Sequence, residues 1–74
     1  MTDEEFSILE TKREAFDEKF FAVVKKFYSH PAVHHGMKSV TLRRLIYPII
    51  FSGKTDAEII AELDKIAPPG KTYF

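Results

Sequence analysis

Apolar side chains recur every three or four residues along much of this chain, which is the spacing of helices that bury one face. The first such stripe consists of Phe6, Leu9, Phe16, Phe20, Val23 and Phe27. Thr2 or Asp3 is suited to cap a helix here, and Pro31 restricts the residue before it and ends the pattern. The stripe therefore predicts one long N-terminal helix that reaches about residue 28. We expect residues 20–24 deep in the core because they are apolar on nearly every side.

The middle of the chain predicts a connection followed by a helix that contains a proline. Residues 30–36 combine a proline and a glycine, which favours a loop. Ser39 is suited to cap a helix that begins at about Val40. The expected apolar face of this helix consists of Leu42, Leu45, Ile46, Ile49 and Ile50. Because a proline in a helix interior removes a hydrogen bond and costs roughly 3 kcal/mol, we predict that this helix is bent or broken at Pro48.

The last apolar stripe predicts a helix that begins after Thr55 or Asp56 and ends at about residue 66. Its expected inward-facing residues are Ile59, Ile60, Leu63 and Ile66. No segment shows the alternation that is typical of a strand. The sequence therefore predicts an all-α fold, a small bundle of three to four helices with a long N-terminal helix. We expect this single helical domain to span residues 1–74.

The composition restricts the environment and the chemistry of the protein. Without cysteine the chain has no disulfide, no thiol nucleophile and no cysteine-type zinc site, which is compatible with a reducing compartment. The longest apolar run, residues 45–51, is too short to span a bilayer. The start, Met-Thr-Asp-Glu-Glu, lacks the basic and apolar regions of a signal peptide. We therefore expect a cytoplasmic protein that does not enter a membrane.

The formal net charge is zero, but the charges are segregated along the chain. Residues 1–18 carry seven acids and two bases, residues 19–54 carry seven bases and no acid, and residues 55–74 carry four acids and two bases. A basic block between acidic ends favours contact with a polyanion, which is either nucleic acid or an acidic protein face. The acidic ends can also lie against the basic middle in the folded chain.

Basic residues alternate with aromatic residues in the block, a combination that serves phosphates and bases together. The alternative is that the aromatic residues are core and the cations merely solvate the opposite face. Under the first interpretation, six cations of residues 19–54 form one surface, and a further lysine lies near the end of the chain. The candidate partner-binding or nucleic-acid-binding residues are Lys25, Lys26, Lys38, Arg43, Arg44, Lys54 and Lys71.

Neither metal binding nor catalysis is favoured by the residues present. His30, His34 and His35 lie near one another, but no acid between Lys19 and Lys54 completes a set of ligands. Most acids lie on the predicted first helix, where a solvated face is expected rather than the partly dry cleft that acid–base catalysis needs. We therefore predict no catalytic residue, no metal site and no cofactor.

One segment carries a family resemblance. Residues 53–63 read GKTDAEIIAEL, which resembles the turn and second helix of helix-turn-helix domains of the LuxR and resolvase kind, roughly G-[KR]-[ST]-x-x-E-I-A-x-x-L. With the preceding apolar helix, the resemblance covers residues 45–66 and implies DNA binding. In those families a further helix follows and enters the major groove. Residues 67–74 are too few for a complete recognition helix, which is where the chain departs from the family.

These observations lead to three functional hypotheses. The first is a small non-enzymatic regulatory protein that binds a large machine. It resembles in type the small phage-encoded regulators of host RNA polymerase, so transcription regulation on RNA polymerase or its nucleic acid is expected. The second is a minimal helix-turn-helix DNA-binding protein that uses the basic block 19–54. The third is a self-associating assembly or structural protein. The chain is expected to be a monomer or a homodimer, with a larger protein complex as its partner.

Overall fold

A computed structural model describes residues 1–67, which form five helices joined by short turns. The helices are α1 (Asp3–Glu14), α2 (Glu18–Phe27), α3 (Pro31–Gly36), α4 (Val40–Ile50) and α5 (Asp56–Ile66). The predicted all-α fold is confirmed, and no strand occurs in this part of the chain. The predicted number of three to four helices is too low, because the N-terminal helix is divided and the expected loop contains a short helix.

The prediction of one long N-terminal helix is wrong, because the chain turns at Phe16. The amide of Phe16 donates to the Arg13 carbonyl at 3.3 Å, and the amide of Asp17 donates to the Lys12 carbonyl at 3.0 Å. These are the two bonds of a Schellman helix end, and Phe16 takes the left-handed position with a φ of 55°. Asp17 then caps α2 through its carboxylate, which accepts from the Phe20 amide at 2.8 Å. The apolar spacing continues across this turn on a new axis, so spacing alone did not reveal it.

The predicted loop at residues 30–36 contains α3, and the prediction is wrong there as well. The Nδ1 atom of His30 accepts from the Ala32 amide at 3.1 Å and caps the helix. Pro31 suits the first helical position, since its fixed φ is helical and no amide bond is needed there. Gly36 ends the helix beside Ile46, where a Cβ atom would lie 3.1 Å from the Ile46 Cδ1 atom.

Helices α4 and α5 begin where the sequence predicted. Ser39 caps α4, and Thr55 rather than Asp56 caps α5 by accepting from the Glu58 amide at 3.3 Å. The predicted break at Pro48 does not occur, because α4 continues to Ile50 with Pro48 inside it. Pro48 is partly exposed, and Arg44, whose carbonyl loses its helical partner, is exposed to solvent. In the predicted apolar face of this helix, Leu45 is wrongly assigned to the interior, since it is 52% exposed.

The core is an aromatic cluster around Tyr47, which is fully buried. The Phe6 ring centroid lies 5.4 Å from the centroid of Tyr47, and the Phe20 ring meets Tyr47 edge-on at 5.7 Å. In the predicted first stripe, Phe16 is wrongly assigned to the interior, since it is 81% exposed. Ala22 is also exposed, so α2 buries one face rather than its whole circumference.

Helix α5 buries part of the face that was predicted. Ile59 and Leu63 are buried and Ile66 is partly buried, whereas Ile60 is exposed to solvent. Within residues 1–67, no helix combines the length and the apolar character that crossing a membrane requires.

Candidate functional site

The predicted basic surface is divided by the fold, and Arg43 lies inside the protein. Arg43 is 9% exposed, and its Nε atom donates to Glu10 Oε1 at 2.6 Å. Its Nη1 atom donates to the Met37 carbonyl at 2.9 Å, while Arg13 Nε donates to Glu10 Oε2 at 3.0 Å. Burial opposes ionisation of Glu10, but the hydrogen bonds from Arg43 and Arg13 outweigh it and lower the pKa of the carboxyl. Arg43 therefore joins helices and is not exposed to a partner.

Two further residues that were predicted to bind a partner, both cations, are exposed but form ion pairs with acids from the two acidic ends of the chain. Arg44 Nη1 lies 2.7 Å from Asp3 Oδ1, and the guanidinium lies 4.3 Å from the centre of the Phe6 ring. Lys26 Nζ lies 2.9 Å from Asp56 Oδ1. The acidic ends thus lie against the basic middle. Exposed ion pairs of this kind contribute at most about 1 kcal/mol, so both remain exchangeable with a partner's charges.

Lys25, Lys38 and Lys54 have no ion pair within residues 1–67, and Lys71 lies outside the described residues. Lys54 lies in the turn between α4 and α5. Lys25 and Lys38 instead line the same groove, although they are 13 positions apart in the sequence. The structure therefore brings two of the seven predicted residues together at one concave surface.

This concave surface, which we call the Phe16 groove, lies between the α1–α2 turn, α2 and the turn after α3. It has a volume of about 550 Å³, within the range of about 300–1,000 Å³ that ligand-binding clefts occupy. Its lining residues are Arg13, Glu14, Phe16, Phe21, Val24, Lys25, Tyr28, Met37 and Lys38. The walls are mainly apolar and aromatic, and the charged residues among them are mostly basic.

Phe16 is the residue of the groove that most resembles a binding feature. Its ring lies against Phe21 with 6.2 Å between centroids and 22° between planes, yet 81% of the residue is exposed. A residue other than glycine in the left-handed region is strained by about 1 kcal/mol or more, and such strain is concentrated at functional sites. The fold thus holds a large aromatic side chain in solvent at a backbone position that glycine would occupy with less strain.

Sequence reasoning missed Phe16 because its spacing fits the stripe of core residues. The signal that could have located it is Asp17, a good capping residue followed by the acidic residue Glu18, which is typical of a new helix start. A helix start at Glu18 requires the preceding helix to end by about residue 15. That places Phe16 in the turn rather than in the core.

His30 and Asp64 form the pair that most resembles part of a catalytic site. His30 Nε2 lies 2.7 Å from Asp64 Oδ1, with Ser29 in the same shallow depression. The Nδ1 atom accepts from a backbone amide, so Nε2 carries the proton that is donated to Asp64. Both ring nitrogens are occupied, which leaves neither of them to accept a proton from Ser29.

The other histidines lie on α3. The His34 ring meets Tyr28 at 4.9 Å and His35 at 5.0 Å, edge-on in both contacts. In the part of the chain that the structure describes, no group of three or more histidine or acidic side chains is arranged to hold a metal ion.

The segment that resembles a helix-turn-helix comprises the end of α4, a turn and α5. Gly53 takes a φ of 78° in the turn, a conformation that glycine adopts without strain. Residues that would follow α5 as a recognition helix begin at residue 67 and lie almost entirely outside the described residues.

Comparison with protein-family models, with curated proteins and with solved structures finds no match for this chain. A functional proposal therefore depends on the geometry of the site.

Proposed function

We propose that this chain is a small, non-enzymatic regulatory protein that binds a larger protein complex through the Phe16 groove. The observation that carries the proposal is the exposed Phe16 ring at the edge of an apolar groove. Large aromatic side chains contribute a disproportionate share of binding energy at protein interfaces, especially beside a pocket. A solvent-exposed ring at a strained position is costly for the isolated chain and favourable once a partner covers it.

The distribution of cations supports a protein partner over nucleic acid. Binding to a duplex depends on several cations that reach phosphates from one face. Arg43 is buried here, and Arg44 and Lys26 are bound to acids of the same chain. Of the predicted cations without an ion pair within residues 1–67, Lys54 lies in the turn before α5, and only Lys25 and Lys38 share a surface. Two cations on one surface are few for a phosphate-tracking surface, but they suit the charged rim of a protein interface.

The partner that we propose first is a transcription complex, with RNA polymerase as the component to test. This choice rests on the resemblance in type to small phage-encoded regulators, and the cytoplasm is the compartment in which the contact would be made. The absence of a free nitrogen on His30 supports the non-enzymatic part of the proposal. We propose that the chain acts as a monomer or a homodimer.

Direct DNA binding is the second candidate, because α4, the Gly53 turn and α5 coincide with the segment that resembles a helix-turn-helix. Helix α5 carries Asp56, Glu58, Glu62 and Asp64 against Lys65, a charge that opposes close contact with phosphates. A duplex-binding protein would lose affinity as salt rises, by about 0.9 logarithmic units of affinity per logarithmic unit of salt for each phosphate contacted. A flat salt dependence would remove this candidate.

The proposal is tested by affinity capture from a host lysate after nuclease treatment, with three forms of the protein as bait. Wild type and Ile8→Ala are expected to retain one stoichiometric complex that contains RNA polymerase subunits, because Ile8 is exposed outside the groove. Phe16→Gly should lose it while keeping the fold, since glycine suits the φ of 55°. Equal capture by Phe16→Gly would contradict the role of the groove, and loss of all capture on nuclease treatment would favour nucleic acid.

A further inference from the structure

We infer that the Phe16 groove binds an acidic amphipathic helix of the partner protein, with its apolar side chains in the groove and its carboxylates on Lys25 and Lys38. This inference rests on the proposed function and specifies the chemistry of the partner segment. Three observations support it: the unpaired charge of the groove, its shape and lining, and the bonds that most acids of α1 already make within this chain.

The unpaired charge of the groove is positive. Arg13 lies in the lining, but its Nε atom is 3.0 Å from Glu10, and its Nη2 atom is 4.0 Å from Glu14. Arg13 is therefore neutralised by its own helix. Lys25 and Lys38 have no ion pair within residues 1–67, which leaves two cations whose charge a ligand can complement.

The lining suits a helix that presents large side chains on one face. Phe16, Phe21 and Tyr28 provide aromatic surface, and Met37 provides a flexible thioether that adapts to different side chains. An amphipathic helix enters a groove of this kind with apolar anchors three or four residues apart. A groove of about 550 Å³ has room for a few such anchors, while the lysines at the rim reach the flanking polar face.

A second copy of this chain is a poorer occupant than a foreign helix, although α1 is itself acidic. Asp3 is bound to Arg44, Glu5 is bound to Thr2 in the helix cap, and Glu10 is bound to Arg43 and Arg13. Glu14 is bound to Arg13, and within residues 1–67 Glu4 is the one acid of α1 without a partner. Docking α1 into another molecule would therefore require most of its acids to leave partners that they already have. An acidic helix of a different protein carries no such cost.

The test is fluorescence anisotropy with a labelled panel of three amidated 14-residue helical peptides. Each has glutamate on its polar face and leucine, phenylalanine or tryptophan at the apolar positions, and matched peptides carry lysine in place of glutamate. At least one acidic peptide should bind wild type with a dissociation constant on the order of 10 μM, and the lysine peptides should not bind measurably. Binding should weaken about tenfold in Phe16→Gly and in Lys25→Glu with Lys38→Glu.

The control is Lys12→Glu with Lys19→Glu, which changes the net charge equally at two lysines outside the groove that also lack an ion pair within residues 1–67. This variant should retain nearly all of the affinity. The inference is overturned if no acidic peptide binds, if lysine peptides bind equally well, or if both double variants lose the same affinity. It is also overturned if wild type alone sediments as a dimer and Phe16→Gly as a monomer, because the second copy would then fill the groove.

The inferred specificity of the groove for an acidic helix and the proposed regulatory function can be contradicted separately. If no acidic peptide binds but capture of the nuclease-resistant complex still depends on Phe16, the partner segment has a different chemistry and the proposed function stands. If acidic peptides bind as expected but no complex is captured, the groove has the inferred specificity and the proposed regulatory function is wrong.

Discussion

Arg43 Nε donates a 2.6 Å hydrogen bond to Glu10 Oε1, across 33 positions of sequence, and so joins α4 to α1. The same guanidinium donates to the carbonyl of Met37, the capping residue that follows α3. One side chain thus satisfies a partly buried carboxylate and a helix-terminal carbonyl that has no helical partner. Because α1 and the turn after α3 both contribute residues to the Phe16 groove, this connection also helps to fix its walls.

Removing the carboxylate of this pair should substantially lower the free energy of unfolding. Glu10→Leu leaves the Arg43 guanidinium largely buried without its carboxylate, and we expect the free energy of unfolding to fall by about 3 kcal/mol. Arg43→Met should cost less, because Glu10 keeps its bond to Arg13. The loss of unfolding free energy in the double variant should be smaller than the sum of the losses in the two single variants. We expect a coupling energy above about 1 kcal/mol in urea unfolding followed by circular dichroism.

The exposed pair of Asp3 and Arg44 is the matched control for the double-mutant cycle of Glu10 and Arg43. It has nearly the same hydrogen-bond length, 2.7 Å, but its side chains are 93% and 54% exposed. Solvent screens such a pair, so alanine variants should show a coupling energy below about 0.5 kcal/mol. Equal coupling in the two cycles would mean that burial does not determine the contribution of the Glu10–Arg43 pair.

Acid should destabilise the protein partly through Glu10. Hydrogen bonds from the two arginines outweigh the effect of burial and lower the pKa of Glu10 below its usual value of 4.5. The folded state therefore binds this proton less readily than the unfolded state, and the stabilisation is present above pH 4.5 and lost as the pH falls through the lower folded pKa. Glu10→Gln should show a smaller loss of stability between pH 7 and pH 3 than wild type, and an equal loss would contradict this assignment.

Tyr47→Phe should stabilise the fold. The Tyr47 hydroxyl is buried near the Glu10 carboxylate but makes no hydrogen bond of normal geometry within residues 1–67, so its removal relieves a desolvation cost of about 1 kcal/mol. Burial and the nearby charge of Glu10 raise the pKa of Tyr47 to about 12. The stabilisation of the neutral phenol is present below pH 10 and lost as the pH rises towards 12. Wild type should lose more stability over that interval than Tyr47→Phe, while Tyr28→Phe should resemble wild type.

The sequence predicted the helices that have both a cap and a stop signal within the same short segment. Helix α4 after Ser39 and α5 after Thr55 are of this kind, and both begin where expected. The long N-terminal helix failed because apolar spacing records which faces are buried but not whether the axis changes direction. At Phe16 the outcome was decided by a capping residue, Asp17, and by two backbone hydrogen bonds that have no signature in the spacing.

The candidate site was less predictable than the fold. Lys25 and Lys38 were both identified as binding residues, but only the tertiary structure places them at one groove. Arg43 was wrongly identified with them, because the presence of a positively charged residue in the sequence does not reveal whether that residue is buried. Its carboxylate partner, Glu10, lies 33 positions away in the sequence. Phe16 is apolar and its spacing predicts burial, yet the structure exposes it. Positions where the structure departs from what the local sequence favours are characteristic of functional sites.

Gly36→Ala should destabilise the contact between α3 and α4. The added Cβ would lie 3.1 Å from Ile46 Cδ1 and 3.3 Å from Ile46 Cγ2, so the side chain of Ile46, which is fully buried, would have to shift by a few tenths of an ångström against its neighbours. We expect a loss of about 1–2 kcal/mol, since overpacking outweighs the helix propensity gained by alanine. In an Ile46→Val background, which lacks Cδ1, the same change should cost less in urea unfolding. An equal cost in both backgrounds would contradict a steric origin.

Phe16→Gly should be more stable than Phe16→Ala. Both variants lose the contact with Phe21, but only glycine relieves the strain of a φ of 55°. The difference in free energy of unfolding should be about 1 kcal/mol in favour of glycine. If alanine is equally stable, the left-handed position of Phe16 carries no strain, and the link between strain and binding at this residue is removed.

Photo-crosslinking in host cells from a benzoylphenylalanine placed at position 16 tests whether the Phe16 groove contacts a larger protein complex. Position 16 is an exposed aromatic position in the groove, and position 45 is an exposed apolar position on α4 that serves as the control. If the Phe16 groove binds the partner, position 16 crosslinks to one subunit of a larger protein complex and position 45 does not. Crosslinks from position 45 alone, or crosslinks from position 16 only to nucleic acid, would contradict it.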